Sequence, residues 1–272
     1  MGVTVERPAW AGSDIDLSRP SAARVYDVHL GGAHNFQVDR EAAQRIAEVM
    51  PGLPQILRAN RAFLRRAVRY LTGLGITQFL DLGSGIPTVG NVHEVAWSAN
   101  PDCRIVYVDV DAVAVAHSRA ILSESDNATA VHGDLRRPQE ILDNPETQRM
   151  LDFSRPVGVL MFAVLHFVPD SDDPAGIIRQ YVDAVVPGSH VAISHASLDG
   201  EADRAEEATE QFRNRVTDFS MRTRAEITDL FTGLELVDPG VVYLTEWRPD
   251  AGDEDCDGKQ TSTFAGVARK PD

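Results

Sequence analysis

The chain has little of what disulfide-rich, nucleic-acid-binding and membrane proteins need. Its 272 residues hold only two cysteines, Cys103 and Cys256, too few for a disulfide framework and without metal-ligand spacing, so no metal is expected. Lysine is almost absent: of 26 basic residues only Lys259 and Lys270 are lysines, and no basic run exceeds pairs such as Arg65-Arg66 or Arg136-Arg137. Against 41 acidic residues this leaves a formal charge of −15, which repels phosphate backbones and anionic lipid surfaces. Neither nucleic acid nor membrane is therefore expected as a partner. Long apolar runs are missing too; the longest, 157–168, is interrupted by His166 and is too short to cross a bilayer. The first sixteen residues lack an apolar stretch behind a basic start, so no secretory leader is expected and the expected location is cytoplasmic. Internal repeats, low-complexity tracts and a dividing Pro/Gly/Ser-rich linker are likewise absent.

What is present is ordinary globular material, 43% hydrophobic and 25% charged. It reads as one domain, 1–272, with an arm over 1–20, a helical cap over 21–73 and an α/β core over 74–272. Ser21 caps a first helix that ends at Gly31-Gly32, and Asp39 opens a second. A third spans about 54–71, where Ile56, Leu57, Phe63, Leu64, Ala67, Val68 and Leu71 make an apolar stripe. Asn60 falls on that stripe and Arg61 at its edge, and polar groups there need partners because burying them alone is costly. From Thr77 short apolar strands, 78–82, 104–109, 129–132, 157–162 and 190–194, alternate with helices. Asp172-Asp173-Pro174 supplies capping carboxylates and a proline ahead of a helix over 177–186. That alternation predicts a doubly wound parallel sheet covered on both faces. A charged, helix-prone stretch follows over 201–224, then strands at 234–237 and 263–268 around a polar loop.

The strongest local signal is Phe79-Leu80-Asp81-Leu82-Gly83-Ser84-Gly85, where glycines let the backbone turn tightly between strand and helix and approach a ligand closely. The second strand ends in Asp109, 28 residues beyond Asp81, and the third in His132-Gly133-Asp134-Leu135. A carboxylate at the second strand end suits two ribose hydroxyls, and one at the third suits an adenine amino group. Ligands bind at the carboxyl ends of such strands. The segment 253–258, Asp253-Glu254-Asp255-Cys256-Asp257-Gly258, opens like a calcium loop, but its twelfth position is Phe264 rather than glutamate, so it reads as an acidic solvated loop.

With these motifs in place, the chain resembles the class I S-adenosylmethionine (SAM)-dependent methyltransferases. More closely, it resembles a bacterial S-adenosyl methyltransferase family formerly classed as of unknown function. The resemblance is carried by Ala23-Arg24-Val25-Tyr26-Asp27, Leu30-Gly31-Gly32, Asn35-Phe36, Asn60-Arg61 with Phe63-Leu64, the segment 79–88, and Gly266-Val267-Ala268-Arg269-Lys270-Pro271. It departs from the general Gly-x-Gly-x-Gly pattern at Pro87. The resemblance implies a Rossmann-like doubly wound sheet with its last strand antiparallel, extra N-terminal helices, and SAM as cofactor. By position, Asp81 with Gly83, Ser84 and Gly85 would hold the methionine moiety, Asp109 with Val110 the ribose, and Asp134 with Leu135 the adenine. Phe162 and Ala163 would line the pocket beneath the sulfonium, or simply pack the core.

The N-terminal helices add candidates of their own. Arg61 is a bidentate partner for the SAM carboxylate or else a solvated helix-face charge, and Asn60 and Asn35 would share the same end. His166, just past the fourth strand, is the best-placed general base, with His34 second; each also reads as a structural histidine. No Asp/Asn-Pro-Pro-Tyr and no Pro-Cys follows the fourth strand, which argues against methylation of base or glutamine amino groups and of cytosine carbon. The expectation is methyl transfer to a small-molecule acceptor. The alternatives are a non-catalytic SAM-binding or regulatory protein, and a nicotinamide-dependent oxidoreductase. The last is disfavoured because position 88 is threonine and its ribose acid belongs about 20 residues on.

Overall fold

Five consecutive apolar strands, each buried on both faces, set the architecture. The computed structural model of the protein describes residues 18–87, 90–199, 216–250 and 261–272. Three expectations fall wholly or mostly outside these residues: the arm over 1–20, the helix-prone stretch over 201–224, and the acidic segment 253–258. Strands β1 (Gln78–Leu82), β2 (Arg104–Asp109), β3 (Ala128–His132), β4 (Gly158–Phe162) and β5 (His190–Ala196) pair in parallel in the order β3-β2-β1-β4-β5. Beyond β5, strand β8 (Thr263–Arg269) runs antiparallel, and the two-residue strands β6 (Glu235–Leu236) and β7 (Val242–Tyr243) pair on it. The chain thus winds outward from β1 to β3 and then crosses back to β4. That reversal opens a crevice at the carboxyl ends of β1 and β4.

Alternate side chains of the strands feed two cores. Leu80, Leu82, Val106, Val108, Val159 and Ile193 pack on one face, against helix α8 (Pro174–Ala184) among others. Phe79, Ile105, Tyr107, Leu160 and Phe162 pack on the other, against helix α3 (Leu53–Gly73). There Phe63 meets Phe162 and Trp247 edge-on, each at 5.4 Å between ring centres, a favoured aromatic geometry. Arg66 of α3 is buried in this layer and donates from Nε and Nη2 to the carbonyls of Trp247 and Leu244, at 2.9 and 2.6 Å. No helix among the described residues is long and apolar enough to cross a membrane.

The N-terminal cap has a small core of its own. Helices α1 (Ala22–His29) and α2 (Gln37–Val49) bury Val25, Ala42, Ala43 and Ile46 against Leu53 and Leu57 of α3 and against Phe219. Ser21 caps α1 as expected, its Oγ accepting from the Arg24 N–H. The second helix starts at Gln37, two residues before Asp39. Asp39 sits in its first turn and reaches back to accept from the Phe36 N–H at 2.8 Å, as a first-turn carboxylate does. In the same way α8 begins at Pro174, earlier than 177, with Asp173 as its capping residue accepting from the Gly176 N–H at 3.0 Å. Helix α9 (Arg224–Asp229) is capped by Thr223 and Glu226 in a reciprocal pair.

Candidate functional site

The crevice at the reversal of strand order opens into a cavity of about 690 Å³. Its floor is the strand tips. Asp81 is the penultimate residue of β1, just ahead of a turn in which Gly83 and Gly85 take φ of +72° and +66°, the left-handed region that favours glycine. The Gly83 and Ser84 N–H groups both donate to the Val108 carbonyl, at 2.8 and 3.0 Å, which folds the turn against β2. Asp109 accepts from the Gly85 N–H at 2.7 Å on one oxygen and the Asp111 N–H at 2.8 Å on the other, so its carboxylate is fixed with lone pairs still free. Burial pushes the Asp109 carboxyl up to about 6, against the pull of those two N–H groups.

Asp81 is different. It is buried, lines the cavity, and receives no hydrogen bond from any described residue. Burial pushes its carboxyl up to about 7; the nearby Arg61 charge pulls the other way, and Asp109 adds a smaller push. A lone buried carboxylate poised near neutrality is stabilised by any cation delivered to it.

Asp134 also lines the cavity, but it is already engaged. Arg136 donates to it from Nε and Nη2 and from its backbone N–H, and bridges on to Asp172 at 3.1 Å. Burial would raise this carboxyl, yet the Arg136 hydrogen bonds and charge outweigh it and hold the group below its usual range. Val110, Leu135, Phe162 and Ala163 complete the floor. Ala163 sits at φ +51° at the tip of β4, a strained position for a residue with a side chain, and its N–H is held by Ser194 through Oγ at 2.9 Å and the carbonyl at 3.1 Å.

The roof comes from the N-terminal cap. Tyr26, Asn60 and Arg61 line it, and Arg61 Nη2 donates to Asn91 at 3.0 Å. The partners that Asn60 needs are Ser194, whose hydroxyl donates to Oδ1 at 2.6 Å, and Tyr26, which accepts from Nδ2 at 3.2 Å. Sequence reasoning missed the clasp that holds this roof down. Buried Arg24 pairs with Asp39 at 2.9 Å and with Asp111, the cap of helix α5 (Ala112–Ile121), at 3.4 Å. Ser21 also donates from its hydroxyl to Asp111 and from its N–H to Asp39. The only signal was Arg24 within the segment 23–27; Asp111 reads in isolation as a helix cap.

Three expected residues are not brought here. Asn35 does not line the cavity: its Nδ2 donates to Asp27 and the Gly32 carbonyl at 2.8 and 2.9 Å, and its Oδ1 accepts from Arg40. It locks the turn after α1, where a side chain on Gly32 would collide with Asp27 at 1.9 Å. His166 also misses the cavity, because the short 3-10 turn Leu165–Phe167 carries it past the tip of β4. Burial, with the charges of His195 and Arg222, holds its imidazole well below its usual value, so it is neutral. His34, the second candidate, also lies outside the cavity, its ring tilted against that of His117 with centres 4.0 Å apart.

His166 instead lines an adjoining chamber of about 80 Å³, which shares Ala22, Tyr26, Asn60, Ala163 and Phe167 with the large cavity. No cluster of three or more potential metal ligands occurs among the described residues. Cys103 is free and buried, and Cys256 lies outside the described residues.

Comparison with known proteins agrees with this geometry. The family model described as S-adenosyl methyltransferase matches residues 8–271. A candidate methyltransferase from Thermobifida fusca YX is 39% identical over 97% of this chain and 100% of its own, with a TM-score of 0.91. A DUF574 family protein from Streptomyces avermitilis MA-4680 is 37% identical over 94% and 99%, also at 0.91. Human N-acetylserotonin methyltransferase, solved with SAM, is similar in fold alone, 16% identical over 93% of this chain and 63% of that one, with a TM-score of 0.50. No protein of curated function matches the sequence.

Proposed function

Because this chain belongs to the S-adenosyl methyltransferase family and is a SAM-dependent methyltransferase, we propose that SAM lies in the large cavity and that the acceptor is a small molecule. The observation that carries the cofactor's place is Asp81, a buried carboxylate facing the cavity and receiving no hydrogen bond from any described residue. The donor set fits the rest of the ligand: fixed lone pairs on Asp109 for two hydroxyls, Arg61 for a carboxylate, and apolar walls at Leu135 and Phe162.

When bound, SAM supplies an electrophilic methyl group on a sulfonium. The chain's own part is placement and exclusion of water. Asp81 pairs with the ammonium, and the Gly83–Gly85 turn lets the backbone come close. Asp109 and Val110 orient the ribose, Asp134 and Leu135 border the adenine, and Arg61 holds the carboxylate. Phe162 and Ala163 set the wall beneath the sulfonium. The net charge of −15 and the narrow neighbouring chamber favour a small acceptor over nucleic acid.

Calorimetry tests this. SAM is expected to bind in the micromolar range, on the order of −8 kcal/mol. Asp81→Asn is expected to cost at least tenfold for SAM and far less for adenosine, which has no ammonium. Equal losses for the two ligands contradict the placement. Incubation with labelled SAM and a metabolite extract then reports the small-molecule acceptor; label transferred only to macromolecules contradicts it.

A further inference from the structure

The chamber beside the large cavity has a chemistry opposite to its neighbour. Its wall combines Val25, Met50, Leu53, Leu57, Phe167 and Phe219 with a few polar groups, and no Asp, Glu, Lys or Arg is among its described lining residues. A charged ligand would lose its hydration there and gain no counter-charge. The chamber holds two imidazoles, His29 and His166, and both are pushed below their usual value by burial, so both are neutral. His29 Nε2 and His166 Nδ1 are buried and have no hydrogen-bond partner among the described residues. A neutral imidazole has one donor and one acceptor nitrogen, and leaving them unused is costly unless a ligand engages them. The His166 ring lies 4.4 Å from Phe167 and 4.8 Å from Phe219, centre to centre, a wall of ring edges and faces. At about 80 Å³ the space is roughly half of the ~150 Å³ in which benzene sits, so a small ring fills it only as the surrounding side chains move apart.

We propose that this chamber is the acceptor site, and that the acceptor is a small uncharged ring compound with a polar hydrogen on the reacting oxygen or nitrogen. The proposal rests on SAM lying in the adjoining cavity. The wall shared by the two spaces, at Ala163 and Asn60, is where the acceptor meets the methyl group. The acceptor's lone pair forms the new bond to the methyl carbon as the methyl–sulfur bond breaks. The electron pair of that bond stays on sulfur, which becomes a neutral thioether, and the acceptor's proton leaves to water. His166 and His29 position the acceptor through hydrogen bonds. Arg222 pairs with Asp170 and donates to the carbonyls of Leu165 and Val168, fixing the loop that carries His166.

The test is calorimetric titration of 4-methylphenol, of indole and of benzoate into protein saturated with the demethylated product of SAM. Ala196→Phe and, separately, Leu57→Phe fill the chamber without touching the large cavity. At least one neutral ring is expected to bind saturably, with benzoate at least tenfold weaker. Each filling variant that keeps its product affinity within twofold is expected to lose at least tenfold for the neutral ring. Unchanged ring affinity in a filled variant, benzoate binding as tightly, or no ring binding to protein that does bind the product overturns the proposal. Protein that binds a neutral ring but not the product overturns the cofactor reading instead, and the acceptor role with it.

Discussion

The floor and the roof of the large cavity both carry buried carboxylates, yet those carboxylates do opposite things. In the roof, Asp39 is completely enclosed, and its two oxygens accept from the Ser21 and Phe36 N–H groups and from Arg24. In the floor, Asp81 is buried too but faces the cavity with no hydrogen bond from any described residue, and its carboxyl is pushed up to about 7 by burial. The same residue type at similar depth is thus structural in one place and ready for a ligand in the other. What separates them is whether the protein satisfies them.

The comparison breaks hardest at Arg24. Arg24→Ala leaves Asp39 and Asp111 with lone buried charges and is expected to cost about 3–5 kcal/mol, read as a loss in thermal midpoint. A loss below about 1 kcal/mol shows that the clasp does not hold the roof. In the floor, Asp109→Ala is expected to leave the fold intact and weaken SAM by about 1–3 kcal/mol, because the ribose hydroxyls lose a charged acceptor. Unchanged affinity in the folded variant removes Asp109 from the site. Acidity sharpens the same contrast. A bound ammonium favours ionised Asp81, so SAM affinity is expected to be greatest between about pH 7 and 8, where the α-ammonium still keeps its proton, and to fall by up to about tenfold per pH unit below pH 7. Asp109 steepens the fall below about 6. A flat profile from pH 5.5 to 8 contradicts the raised carboxyls. The smallest effect is expected at Asn35→Ala, which loosens a turn away from the cavity and changes SAM affinity by less than about 0.5 kcal/mol.

The floor was legible in the sequence because its signals are contiguous. The run from Phe79 to Gly85 names its own strand and turn, and Asp109 and Asp134 follow at the ends of strands whose apolar runs are unmistakable. The first two strands have the bounds expected of them, and the next three differ by one or two residues at one end. The roof was legible only in part. Asn60 on an apolar stripe correctly signalled a buried polar group, but its partners, Ser194 and Tyr26, are 134 and 34 residues away. Asn35 was misplaced because an Asn after a Gly-Gly turn carries the same signature whether it faces a ligand or ties the turn to Asp27. His166 was placed at the correct strand tip, but the 3-10 turn that swings it into the chamber has no signature in sequence. The chamber itself was illegible, since its wall draws on α1, α3, the tips of β4 and β5, and residues near 220 and 262.

A crystal structure with the demethylated product of SAM bound tests the central claim most directly. The account predicts the amino group on Asp81, the ribose hydroxyls on Asp109, and the sulfur against Ala163 at the wall shared with the apolar chamber. A product turned end for end, with its sulfur toward Asp134 and nothing on Asp81, would contradict it.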